Sequence, residues 1–515
     1  MTKDFLKKWR TSLDRLLSTQ TTKHILLYGI YLYVIALLAV MFSMCFSAHF
    51  WYDEAFSLEL VQHNYCEIIS LTARDVHPPL YYIILKLIAS LITNLSGGHI
   101  GLVTAAKFVS FLPIIILCFI CFTYIKREYG QFVAALSSLW LCLAPSFFQY
   151  ALEIRMYSWA LLFVSIAFLA SIRLMTGVGK RLEWIIFTAS VVGAAYTHYF
   201  AGLAAGILFA WLFCFRFFTH QSNKHTVIAA LVAALLYLPW FAVFFQQLSV
   251  VRSNYWIPAT TICTLVEYAY FVLGDVNNKI TLVHALLVSY ILYVIALRCF
   301  RDQRKDHCML LGAILPFLLI SIGLILSVLI RPIFVIRYVF PALFCFWLAI
   351  SLCLTKLNSS RVFKIGITAL LVVITSCNFI KASKSELQSH YATQNVINYM
   401  KDYENPCFIS TNRFHYQTAA ALLAGTGMIW KTGIPNPYAE VYNFKIIQIN
   451  TVAELHGTVM QRPSFFIEKA KKVDAVQKFA RETHTKAEKV ISGSVGFPVD
   501  IYKLSLEEPN SALLH

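Results

Sequence analysis

The chain has 515 residues, 58% of them hydrophobic and only 13% charged, with a mean hydropathy of +0.65 and a formal net charge of +17. A soluble globular domain sits near about 45–50% apolar and 25% charged, so these proportions exclude one. They predict a polytopic α-helical membrane protein, because the apolar excess falls in blocks near the roughly 20 residues that a bilayer span needs.

The basic excess, 43 Lys and Arg against 26 Asp and Glu, sits in short loops beside those blocks. That placement argues for membrane topology and anionic headgroups, and against nucleic acid. Cysteines fall mostly inside apolar blocks (Cys118, Cys121, Cys142, Cys345, Cys353), where thiols act as small apolar groups. No C-x-x-C pair falls in a loop, so neither a disulfide framework nor a zinc site is expected. No metal and no cofactor are expected.

At the N-terminus, Phe5, Leu6, Trp9, Leu13, Leu16 and Leu17 recur at helical spacing opposite Lys3, Lys7, Lys8, Arg10 and Arg15. Residues 1–23 thus read as an amphipathic helix on the cytoplasmic leaflet. The first span covers 24–47. Its basic flank places its start inside, so the following loop, 48–79, lies outside. Later apolar blocks fall at 101–124, 131–148, 156–175, 182–198, 200–218, 226–247, 282–299, 308–330, 339–355 and 365–380. The basic connections 126–130, 173–181, 216–225, 298–305 and 356–364 all fall inside if these blocks and the first span are the only crossings. That gives eleven. Residues 80–94 are apolar but short, and a full crossing there would move every later basic loop outside; they read as a re-entrant or interfacial segment, with a true crossing against the charge rule as the alternative. Lys107 is the ionisable residue within a predicted span, placed either to snorkel or to reach a ligand from within.

The membrane domain therefore covers 24–380, and 381–515 forms an extracytoplasmic domain. Helices are expected at 395–403, 417–424 and 474–483, and strands at 406–410, 464–468 and 499–504. This alternation suggests a small α/β domain without a glycine-rich phosphate loop.

Chemistry-bearing residues gather on the outer side. Asp53 and Glu54 stand among Trp51, Tyr52 and Phe56, aromatic groups that hold a loop at the interface. A carboxyl shielded there suits general-base work, with its neighbour orienting a polar acceptor. In Asp75-Val76-His77-Pro78-Pro79 the prolines fix the backbone and present Asp75 and His77 from a rigid loop. Arg155 with Tyr157, His198, and Arg331 with Arg337 fall at three further outer turns. Arginines there run against the topological bias. Together they suggest an anionic ligand, and a phosphate suits their forked donors. Acids and cations on one membrane face imply a lipid-borne phosphate.

In order and type, Asp53-Glu54, Asp75-Val76-His77-Pro78-Pro79-Leu80, Arg155-Met156-Tyr157, Thr197-His198-Tyr199-Phe200 and Arg337-Tyr338 resemble the family 39 membrane glycosyltransferases over about residues 20–380. That family includes the protein O-mannosyltransferases and, more distantly, the lipid A aminoarabinose transferases. The resemblance implies the GT-C fold, a polyprenyl-phosphate sugar donor used on the outer face of a bacterial inner membrane, inversion at the anomeric carbon, and no metal. It implies Asp53 as the catalytic acid of the first outer loop, Glu54 as its partner in the motif, and Arg155 on the donor phosphate. Tyr157, His198, Arg337, Asp75 and His77 are expected around the donor phosphate and substrate. Loop 248–279 is too short for the β-trefoil insertion of the eukaryotic mannosyltransferases, and no Asp follows Arg155 at their spacing. The chain looks more like the broad bacterial branch, whose donors and acceptors vary, and the acceptor is left open among protein, lipid and cell-wall glycan. A lipid-sugar flippase and a polymer ligase using a diphosphate-linked glycan are the alternatives.

Overall fold

The computed structural model describes residues 19–144, 146–177, 180–253, 257, 261–273, 279–299, 304–357, 359–430 and 439–506. Most of the amphipathic helix expected at 1–23 lies outside the described residues, as does part of the basic connection at 298–305. In chain order the helices of the membrane domain are α1 (Gln20–Met44), α2 (Tyr52–Leu60), α3 (Tyr65–Arg74), α4 (Leu80–Leu95), α5 (Leu102–Tyr129), α6 (Gln131–Leu143), α7 (Phe147–Leu152), α8 (Tyr157–Met175), α9 (Arg181–Thr197), α10 (Tyr199–Phe218), α11 (Lys224–Ser253), α12 (Ile262–Leu273), α13 (Lys279–Cys299), α14 (Arg304–Leu329) and α15 (Leu343–Lys356). A 3-10 turn, Ile336–Ala342, leads into α15. The chain then enters α16 (Arg361–Met400).

Among the described residues, eight helical segments are long and apolar enough to cross a membrane. Every one of the predicted apolar blocks carries a helix. The α4 helix has 16 residues and rises about 24 Å, short of a hydrocarbon core of about 30 Å. It buries Tyr81, Tyr82, Leu85 and Ala89. Helix α8 and the segment around α15 are the most enclosed of the long apolar helices. Trp140 and Trp347, with ring centroids 5.1 Å apart, lock α6 to α15. At Gly312 a Cβ would come within 2.6 Å of the Cys345 carbonyl, so α14 and α15 pack at a distance that only glycine permits.

The expected break near residue 380 does not occur. Helix α16 runs 40 residues without interruption, about 60 Å at the α-helical rise. It therefore extends well beyond a bilayer core and carries the chain into the terminal domain. The helix expected at 395–403 is its last turns. The physical reason is the lack of any Gly or Pro between 367 and 400.

The terminal domain is an α/β sandwich. Its strands are β1 (Cys407–Ser410), β2 (Thr426–Trp430), β3 (Ile446–Ile449), β4 (Ser464–Lys469), β5 (Thr485–Ser494) and β6 (Pro498–Leu506), ordered β3-β2-β1-β4-β6-β5. The pairs among β3, β2, β1 and β4 are parallel, and β6 runs antiparallel to both β4 and β5. The end of α16 and α17 (Arg413–Leu423) cover one face of the sheet through Val396, Met400, Tyr416 and Ala420. On the other face lie α18 (Val452–Gln461) and α19 (Val473–Thr483), through Leu455, Val476 and Phe479. The strands expected at 406–410, 464–468 and 499–504 are present; β2, β3, β5 and α18 are additional. Both β3 and β5 are sheet edges, and β5 carries Lys486 and Lys489, the polar composition that protects an edge and hides a strand from pattern reading.

Candidate active site

The site starts at the N-terminus of α2. The Trp51 N–H donates to Glu54 Oε2 at 2.9 Å, closing the first turn. The other oxygen, Glu54 Oε1, accepts the Ile154 N–H at 2.8 Å. Ile154 lies between α7 and α8, where the backbone is not helical and its N–H has no partner within a helix. Glu54 thus ties the first outer loop to the segment that carries Arg155. Each of its oxygens receives a backbone N–H, so its chemistry is that of a tie. Burial pushes its carboxyl up to about 7, against the pull of Lys107 and the two N–H donors.

Arg155 is buried next to that tie. Its Nη1 donates to the Asp53 carbonyl (3.2 Å), to Ser57 Oγ (3.4 Å) and to the Tyr82 hydroxyl (3.2 Å). The Asp53 side chain meets a second cation: Asp53 Oδ2 lies 3.4 Å from Arg337 Nη2, with the two side chains 21% and 17% exposed. Arg337 sits over the rings of Trp51 and Tyr157, at 5.7 and 5.9 Å from their centroids. Asp53 therefore stays partly open to solvent while both guanidiniums close the site behind it.

The histidines form the adjoining wall. His77 stacks on His198 with centroids 5.7 Å apart, and His198 packs against Tyr157 (5.8 Å) and Tyr338 (4.6 Å). His198 also caps α10: its Nδ1 accepts the Phe200 N–H at 3.2 Å. An accepting Nδ1 leaves Nε2 as the N–H of a neutral ring. Burial, then Arg155 and Arg337, push His198 down to about 3. Burial, Arg155, His198 and Arg337 likewise hold His77 well below its usual range. The sequence groups His198 with the cations of the site; the structure makes it a neutral donor. Asp75, at the C-terminus of α3, lies in the field of Arg155, and burial pushes its carboxyl up to about 6. The structure thus brings all eight sequence-predicted site residues into one neighbourhood.

Two further cations find partners in the protein. Arg331 reaches the Arg252 carbonyl at 3.5 Å. Lys107 does not snorkel: it is buried, and its Nζ pairs with Glu386 Oε1 on α16 at 3.2 Å. Glu153 is a site residue that the sequence reasoning missed. It is buried two positions before Arg155, and its Oε1 meets no hydrogen-bond partner among the described residues. Burial first, then the charge of Glu54, push it up to about 8, against the pull of Arg337. An acid beside a lone arginine in an apolar stretch is the signal that could have found it. Ser57 and Tyr82 carry no such signal, because their roles depend on what folds against them.

Arg155 Nε, Arg337 Nε and the Tyr157 hydroxyl are also buried without a partner among the described residues. Unpaired buried donors are costly, and three of them around one carboxylate suit an anionic ligand. Among the described residues no three His, Cys, Asp or Glu side chains converge as a metal site. The arrangement can bind an anion and accept a proton beside it.

No family model matches this sequence, and no curated protein sequence matches it. Solved structures do. The crystal structure of ArnT from Cupriavidus metallidurans in the apo state superposes with a TM-score of 0.59 at 12% identity, covering 92% of this chain and 98% of that one. The structure of the same protein bound to undecaprenyl phosphate gives a TM-score of 0.60 at 11% identity, with the same coverage. This is the GT-C fold. The likeness covers 92% of this chain, so it extends beyond the membrane helices into the terminal domain.

Proposed function

We propose that the chain is a membrane glycosyltransferase that moves a sugar from a polyprenyl-phosphate donor to a hydroxyl acceptor at the outer membrane face. The observation that carries this reading is Asp53 gripped by two arginines, its carboxylate by Arg337 and its carbonyl by Arg155. The GT-C fold supports it, as does the undecaprenyl phosphate held by an ArnT structure of that fold. The positive-inside distribution supports an extracytoplasmic site and terminal domain in a bacterial inner membrane.

In this mechanism Asp53 takes the proton of the acceptor hydroxyl as the oxygen attacks the anomeric carbon from the face opposite the phosphate. The bond from that carbon to the phosphate oxygen breaks, its electron pair leaves with the polyprenyl phosphate, and the configuration inverts. Arg155 and Arg337 offer their remaining donors to the phosphate, and the charge that grows there is stabilised by groups already in place. The neutral rings of His77 and His198 add an N–H without adding charge.

The test is incubation of the purified protein with undecaprenyl-phosphate-linked hexoses or aminopentoses and a cell-envelope acceptor fraction. Release of undecaprenyl phosphate, lost in Asp53→Asn, is the expected result. Sugar-lipid that changes leaflet with its bond intact points to the flippase, and turnover only with a diphosphate-linked glycan points to the ligase.

A further inference from the structure

The terminal domain touches the first outer loop at points that no hydropathy pattern foreshadows. Gly496 lies in the β5–β6 hairpin turn with φ +86°, and a Cβ there would come within 2.8 Å of both the Phe50 carbonyl and Trp51 Cα. The hairpin tip is therefore pressed onto the backbone just before Asp53. Next to it Phe414 of α17 meets Tyr52 edge-on, with centroids 4.4 Å apart. At the far end of α2, Asn443 grips Glu59: its N–H donates to Glu59 Oε2 at 3.0 Å, and its Nδ2 donates to the same oxygen and to the Glu59 carbonyl, both at 3.1 Å. His63 Nε2 bonds the Val441 carbonyl at 2.9 Å, and Arg74 pairs with Glu440.

Helix α2 is thus clamped at both ends by one domain, and Asp53 is its second residue. A nine-residue helix has little intrinsic stability in water. Its orientation must come from what packs on it. Inside the membrane domain α2 is held on one side, by the Glu54–Ile154 tie and the Arg155 fork. The clamp supplies the other side. The bonds of Asn443 go to Glu59, and the contacts at Gly496 are to backbone. The domain therefore reaches the chemistry through the placement of α2.

We propose that the terminal domain is a positioning element of the active site: through Gly496 and Asn443 it fixes the helix that carries Asp53 in the register facing Arg337. The proposal rests on the reading of Asp53 as the base. The two clamp points hold opposite ends of α2, so each has its own test.

The experiment uses the full-length protein in detergent or proteoliposomes. Binding is read with undecaprenyl phosphate alone, and turnover as its release from an undecaprenyl-phosphate-linked sugar. Glu59→Ala and Asn443→Ala are expected to lower kcat about 10–100-fold, the range in which a displacement near 1 Å acts, with undecaprenyl phosphate affinity unchanged. Glu59→Gln keeps an acceptor for both Asn443 donors and should restore kcat to near the parent value, which a loss of charge alone would not allow. Gly496→Ala should behave as Asn443→Ala, and the Asn443 and Glu59 variants keep the test sharp where the glycine variant does not fold. Unchanged kcat in both alanine variants, a matching loss of undecaprenyl phosphate binding, or Glu59→Gln as slow as Glu59→Ala overturns the proposal. Normal turnover in Asp53→Asn overturns the base reading instead, and the clamp variants then still report whether α2 must be held.

Discussion

Arg337 Nη2 stands 3.4 Å from Asp53 Oδ2, while Arg155 holds the same residue only by its main-chain carbonyl. The side chain and the backbone of Asp53 are thus gripped by different cations. Asp53→Asn removes the proton acceptor and leaves the Arg155 grip in place. Expression and undecaprenyl phosphate binding should stay near the parent level, while turnover falls about 10²–10⁴-fold, the usual contribution of a general base. Steady-state release assays beside a lipid-binding titration check both halves. A folded Asp53→Asn protein with parent-like kcat removes Asp53 from the role.

Glu54 makes a contrasting case. Both oxygens accept backbone N–H groups, from Trp51 and Ile154. In Glu54→Gln one of those N–H groups faces an amide NH2, and a donor meets a donor in a buried site. A buried group left unsatisfied costs about 1–3 kcal/mol. The expected result is a lowered thermal midpoint in detergent, with turnover falling alongside it because the tie also positions Arg155. A Glu54→Gln protein that melts like the parent yet is inactive would reassign Glu54 from tie to chemistry.

The carboxyl of Glu153 is pushed up from 4.5 to about 8, chiefly by burial. The folded protein therefore holds this proton more tightly than the unfolded chain does. The stability linked to it is complete below the ordinary glutamate value and is lost as pH rises through about 8. Thermal midpoints should decline across that window in the parent, and Glu153→Gln should flatten the decline. The alkaline limb of the turnover profile should move in the same variant. Identical pH profiles for the two proteins would remove Glu153 from this account.

Much of the architecture is legible in the sequence because hydropathy is a one-dimensional signal. Each apolar block forms a helix, and the basic loops alone assign Asp53, Arg155, His198 and Arg337 to one side. What stays hidden depends on three-dimensional placement. The continuity of α16 past residue 380 follows from the lack of helix breakers, but the change from apolar to polar composition masks it. The edge strands β3 and β5 are short or polar by the logic of exposed edges. Glu153 has meaning only beside Arg337 and Glu54, and the contact of Gly496 with Trp51 joins two domains. The position of His198 is readable but its charge is not, since only the surrounding burial and arginines make it neutral.

Lys107 and Glu386 link the membrane domain to α16 by a buried ion pair of 3.2 Å, with side chains 3% and 20% exposed. The same helix holds the start of the first outer loop, through His390 Nδ1 accepting the Ala48 N–H at 3.0 Å and Thr393 meeting His49 at 3.4 Å. Removing one partner of a buried pair leaves the other charge unmatched and typically costs about 3–5 kcal/mol, whereas replacing both by apolar groups is often neutral. Lys107→Met and Glu386→Gln should each lower the thermal midpoint sharply, and the double variant Lys107→Met/Glu386→Leu should recover most of the loss. The same cycle measured on turnover separates two effects: a stable double variant with slow kcat shows that the pair also sets the loop before Asp53, and one with parent-like kcat confines it to stability. Additive losses in the double variant would show that the two charges do not act on each other.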